Sequence, residues 1–88
     1  MKAKVIYIHG KNGSANEADF YKPLFPEYHV IGLDYKAETP WQARSEFPKL
    51  YDDLCENSDK VILIANSIGA YFAMQSLADK RIDRAFFI

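Results

Sequence analysis

The chain has 88 residues, about half hydrophobic (49%) and a quarter charged (26%), with a formal net charge of -1. That admits one domain or part of one, excludes a disordered chain, and excludes electrostatic capture of nucleic acid or anionic membrane as its main business. The longest apolar stretches, Val61 to Ala65 and Ile68 to Met74, fall far short of the ~20 residues of a membrane-crossing helix, and the single cysteine, Cys55, leaves no internal disulfide to form.

Val5 to Ile8 is too short for a secretory signal, so a soluble cytoplasmic protein is the expectation. Lys4 to Ile8, β-branched and aromatic, reads as a strand ending at the loop Gly10-Lys11-Asn12-Gly13. Ser14 stands three residues before Glu17, a capping box that predicts a short helix stopped by Pro23 or Pro26. His29 to Leu33 is a second short strand, closed by Asp34. Thr39-Pro40-Trp41-Gln42 opens a longer helix: threonine as N-cap, proline at the first helical position, glutamine reaching back. Phe47, Leu50, Tyr51 and Leu54 recur at the spacing of one buried face, with Trp41 also expected in the core. Pro48 predicts a kink or restart, and Asn57-Ser58 the end. Cys55 packs, and Asp52, Asp53 and Glu56 form a solvated face, since no histidine or calcium-loop pattern accompanies them.

Val61 to Ala65 is a continuous apolar run, as in a central parallel strand covered on both faces. Asn66-Ser67-Ile68-Gly69 interrupts it, and Ala70 to Ala78 continues as an apolar helix, with Lys80 and Arg81 suited to the negative end of its dipole. Arg84 to Ile88 starts a fourth strand. The run Ala85-Phe86-Phe87-Ile88 closes the sequence without a turn or polar tail, and predicts a chain cut within a buried strand.

Strand alternating with helix predicts an α/β fold, a four-stranded parallel sheet flanked by helices. Placing the two most apolar strands, Lys4 to Ile8 and Val61 to Ala65, side by side puts His29 to Leu33 outside the first and Arg84 to Ile88 outside the second. Right-handed crossovers then set the first helix on one face and the next two on the other. The winding reverses between the central strands, and ligands bind beyond the carboxyl ends of strands at such a switch point. His9-Gly10-Lys11 and Asn66-Ser67-Ile68 meet there.

Ala65-Asn66-Ser67-Ile68-Gly69 has small residues two before and two after a serine at a strand-to-helix junction. That spacing suits a nucleophile elbow, where a strained, sharp turn presents Oγ to a substrate and the helix aims free N–H groups at a forming oxyanion. With His9-Gly10 straight after the first strand, the chain resembles the N-terminal half of the α/β-hydrolase superfamily of serine hydrolases. The resemblance implies Ser67 as nucleophile, the backbone N–H groups of Lys11 and Ile68 as oxyanion donors, and His9, Gly10, Ala65, Asn66 and Gly69 as supporting residues. It implies a small acyl substrate (a carboxylic ester, thioester or small amide), no metal and no cofactor. The family writes glycine where Ala65 stands, a departure of one methyl group.

The family's triad runs in the order serine, acid, histidine, the last two after strands beyond the fourth. This chain has no such residues, so by itself it is expected to be close to inactive, a truncated hydrolase domain. A substitute triad of Asp34, His9 and Ser67 is the less favoured alternative to His9 shaping the oxyanion loop. His29, at the far end of its strand, reads as structural. Gly10-Lys11-Asn12-Gly13-Ser14 lacks the order of a phosphate-binding loop. A non-catalytic binding or oligomerisation module is the competing function, ahead of a flavodoxin-like unit, which would need an acidic cluster or flavin phosphate loop. Homo-oligomerisation is expected through the C-terminal edge strand or the uncovered sheet face.

Overall fold

The computed structural model describes residues 3–88. In chain order it holds β1 (Ala3–Ile8), a 3-10 helix (Ala15–Leu24), β2 (His29–Gly32), α1 (Pro40–Cys55), β3 (Lys60–Ala65), α2 (Ile68–Ser76) and β4 (Arg84–Phe87). The strands form one parallel sheet in the order β2-β1-β3-β4. This is the expected α/β architecture, with the winding reversed between β1 and β3. Among the described residues no helix is long and apolar enough to cross a membrane.

The unbroken apolar character of β3 reflects two cores. Val61, Leu63 and Ala65 join Ile6 and Ile8 under Ala43, Phe47 and Tyr51 of α1 and Ala70, Phe72 and Ala73 of α2. Ile62 and Ile64, on the other face, join Val5, Tyr7 and Val30 under Ala18 of the 3-10 helix. One connection therefore covers one face and the two α-helices the other. The predicted stripe of α1 holds: Phe47 and Tyr51 are buried, and Leu50 and Leu54 pack against the core. Cys55 packs there too, and burial pushes its thiol up from the ordinary value.

Several local expectations are corrected. The Ser14–Glu17 capping box does not form: the Ser14 side chain makes no cap bond, and the segment winds as a 3-10 helix. The Glu17 carboxylate instead accepts from the hydroxyl of buried Tyr7 at 2.7 Å, because a buried phenol requires a partner. Burial and that carboxylate push the Tyr7 hydroxyl up from 10 to about 12, so it stays a donor. At α1 the Thr39 hydroxyl does accept from the Gln42 amide at 3.2 Å, while the Gln42 side chain reaches the Glu38 amide. The helix does not restart at Pro48; the carbonyl four residues back belongs to Arg44, which is exposed to water.

Trp41 is 73% exposed rather than core, for it lies about 200° around the helix from buried Ala43. α2 starts two residues early and ends at Ser76, so Lys80 and Arg81 fall beyond its dipole. Lys80 pairs with Asp52 at 2.9 Å, and Arg81 donates to the Asp59 carbonyl. β4 is exposed along its length and, among the described residues, forms the edge of the sheet beside β3, the edge expected of Arg84 to Ile88.

Candidate active site

Strand register brings the two motifs together. Ile8 of β1 is level with Ala65 of β3, and the Asn66 amide donates to the Ile8 carbonyl at 3.0 Å. His9-Gly10 and Asn66-Ser67 therefore leave the sheet side by side, at the carboxyl ends of its two central strands. Gly10 lets them touch: a Cβ there would stand 3.1 Å from Cβ of Ser67 and 3.2 Å from the Asn66 carbonyl oxygen. Gly69 is tighter still. A Cβ on it would lie 2.3 Å from the His9 carbonyl oxygen and 2.8 Å from Cγ2 of Ile8. The first turn of α2 thus sits against the end of β1 at a distance that glycine alone permits.

Ser67 has φ 54° and ψ -124°, a left-handed conformation that costs a non-glycine residue about 1–3 kcal/mol. Its amide donates to the Ile88 carbonyl at 2.7 Å, and its carbonyl accepts from the Ala70 amide at 3.0 Å. Those bonds and the close packing at Gly10 and Gly69 hold the strain in place. Ser67 occupies the N-cap of α2, yet its hydroxyl makes no cap hydrogen bond. Thr39, at the N-cap of α1, has an extended backbone and does make one. An ordinary capping serine would follow the Thr39 pattern. The Ser67 side chain is exposed instead, and its hydroxyl is not consumed by the helix. Ala65 is fully buried, which is why a small residue is required two positions earlier.

The facing loop is organised by His9. Its Nδ1 lies 2.8 Å from the Gly10 carbonyl oxygen, which also accepts from the Gly13 amide at 3.1 Å. A carbonyl can only accept, so the proton belongs on Nδ1. In a trans peptide N–H points opposite to C=O, so fixing the Gly10 carbonyl fixes the direction of the Lys11 N–H. Neither the Lys11 amide nor the Ile68 amide, at the open N-terminus of α2, enters a backbone hydrogen bond among the described residues. Both residues line a pocket of about 570 Å³ together with His9, Gly10, Tyr35 and Phe72.

The substitute triad does not assemble. Asp34 is exposed and pairs with Lys36 at 3.3 Å, while the His9 imidazole is buried, stacked on Tyr35 and bonded to Gly10. His29 starts β2 level with Lys4, at the opposite end of the sheet. Among the described residues no group of three or more metal-ligating side chains comes together. Sequence reasoning missed the pocket's second wall, Tyr35, Lys36, Ala37 and Glu38. Their one signal was position, directly after a strand at the switch point.

Comparison with known proteins adds one relationship. No protein-family model matches the chain. It is 30% identical over 98 aligned positions to the protein named "Putative esterase/lipase 3" of Mycoplasma genitalium, an alignment covering 94% of this chain and 34% of that protein. The chain therefore spans about a third of the length of the relative it matches, and the similarity supports a hydrolase-like relationship.

Proposed function

We propose that the chain is the nucleophile-bearing part of a serine hydrolase of the α/β-hydrolase type, acting on a carboxylic ester, thioester or small amide. The observation that carries the reading is Ser67: an exposed side chain at a strained strand-to-helix bend, its hydroxyl making no cap bond, packed against Gly10, whose next residue Lys11 has, like Ile68, an amide in no backbone hydrogen bond among the described residues. In the reaction Oγ of Ser67 attacks the carbonyl carbon, and the C=O electron pair moves onto oxygen, facing the Lys11 and Ile68 N–H groups. Collapse breaks the bond to the alcohol, thiol or amine, which leaves with a proton and an acyl-serine behind; water then releases the acid. The serine proton must pass to a base. Asp34 pairs with Lys36 and not with His9, and His29 is remote, so no acid–histidine pair stands ready and the base in these residues is taken to be solvent or buffer.

The test is fluorophosphonate labelling of the purified chain, followed by intact mass and peptide mapping. A slow, single adduct on Ser67 is expected, accelerated about 10-fold or more by added imidazole acting as the missing base, and absent in Ser67→Ala. Adducts on tyrosine or lysine that persist in Ser67→Ala would overturn the reading. Rapid labelling without imidazole would mean that the chain supplies its own base and would return attention to His9 and Asp34.

A second reading, an oligomerising module, is favoured by one observation. The β4 edge is exposed along its length, and Phe86, Phe87 and Ile88 border an apolar groove of about 500 Å³ with Tyr21, Leu24 and Phe25. Free backbone groups beside exposed aromatic rings favour self-association. Sedimentation of the 88-residue chain is expected to give a dimer or larger species; a monomer without aggregation counts against it.

A further inference from the structure

We infer that Tyr35 is a positioning residue that sets the direction of the Lys11 amide and so shapes the oxyanion site beside Ser67; this rests on the hydrolase reading above. Tyr35 follows β2 in a tight turn, its amide donating to the Leu33 carbonyl at 3.0 Å, and its side chain is buried. Its ring cannot drift: Phe47 meets it edge-on at 4.9 Å and Phe72 at 6.1 Å.

From that fixed seat Tyr35 grips the loop twice. Its hydroxyl donates to the His9 carbonyl at 2.8 Å, which orients the His9–Gly10 peptide. Its ring stacks on the His9 imidazole, centroids 4.2 Å apart and planes 13° from parallel. That imidazole holds the Gly10 carbonyl, which orients the Gly10–Lys11 peptide and with it the Lys11 N–H. Tyr35 therefore acts on two consecutive peptide planes before the candidate donor, on the first directly and on the second through His9, which shares the Gly10 carbonyl with the Gly13 amide. The His9 carbonyl also lies against Gly69 of α2, so the grip aligns the loop to the helix bearing the second donor, Ile68.

The test compares Tyr35→Phe with Tyr51→Phe by fluorophosphonate labelling with imidazole. Tyr51 is an equally buried tyrosine whose hydroxyl donates to the Arg81 carbonyl at 2.7 Å, near the amino ends of the strands. Both variants lose one hydroxyl bond to a backbone carbonyl, so similar drops in thermal midpoint are expected. Labelling of Ser67 should slow about 10-fold in Tyr35→Phe alone, because an oxyanion donor is misdirected. In amide NMR of the adduct, wild type should show downfield shifts at both Lys11 and Ile68. Tyr35→Phe should keep the Ile68 shift and lose that of Lys11, which a general loss of structure would not do. His9→Ala cuts the imidazole arm, carries the same expectation, and serves where Tyr35→Phe does not fold. Unchanged labelling in Tyr35→Phe and His9→Ala, or loss of both amide shifts together, overturns the clamp while the hydrolase reading stands. Failure of the wild type to label at Ser67 overturns both.

Discussion

Replacing Gly69 with alanine is expected to destabilise the chain by about 3 kcal/mol or more and to abolish labelling of Ser67. The added Cβ would stand 2.3 Å from a backbone oxygen, that of His9, and 2.8 Å from a methyl of Ile8 at the fully buried end of β1. A flexible side chain could step aside, but a backbone carbonyl already bonded to Tyr35 cannot move without shifting β1 or α2. Overpacking of a well-filled site typically costs 1–3 kcal/mol, and a clash with backbone lies at or beyond the top of that range. A domain of this size has about 4–13 kcal/mol in all, so urea denaturation will register the change clearly. A loss below about 1 kcal/mol would mean that α2 does not seat on the end of β1 as described.

The second large effect is at Phe47. Its side chain has no exposed surface, and it meets Tyr35 and Phe72 edge-on at 4.9 and 6.1 Å. Truncating a buried phenylalanine costs about 3–5 kcal/mol through lost burial and the cavity left behind. Phe47→Ala is thus expected to lower the urea midpoint severely, and the void opens beside the seat of Tyr35. A mild effect, near 1 kcal/mol, would show that the aromatic layer between α1 and the sheet is loosely packed.

The sheet was legible because its signals are redundant. Val61 to Ala65 reads as a strand covered on both faces, and placing it beside Lys4 to Ile8 with right-handed crossovers leads to the observed strand order and to the faces taken by the helices. The strained bend at Ser67 was legible for a similar reason: small residues at 65 and 69, an apolar strand before and a helix after all constrain one turn. What failed depended on partners distant in sequence. Glu17 had the spacing of a capping residue, but the phenol of Tyr7, ten positions away, claimed its carboxylate. Trp41, grouped with Phe47 and Tyr51 as an aromatic core residue, lies off the periodicity that puts Ala43, Phe47 and Tyr51 inside. Tyr35 carried no motif; its grip on His9 exists only because β1 and β2 are neighbours.

The hydrogen bond from the Ser67 amide to the Ile88 carbonyl has a kinetic consequence. The bend stores strain, and one of its restraints comes from residues joined to the sheet on a single side. Margins of a sheet open at lower free energy than its centre, so in the 88 residues taken by themselves this restraint is expected to open by local fraying before global unfolding. The serine can relax toward an unstrained geometry while the central strands stay zipped, and reactivity at that position will report first on how well the margin is held.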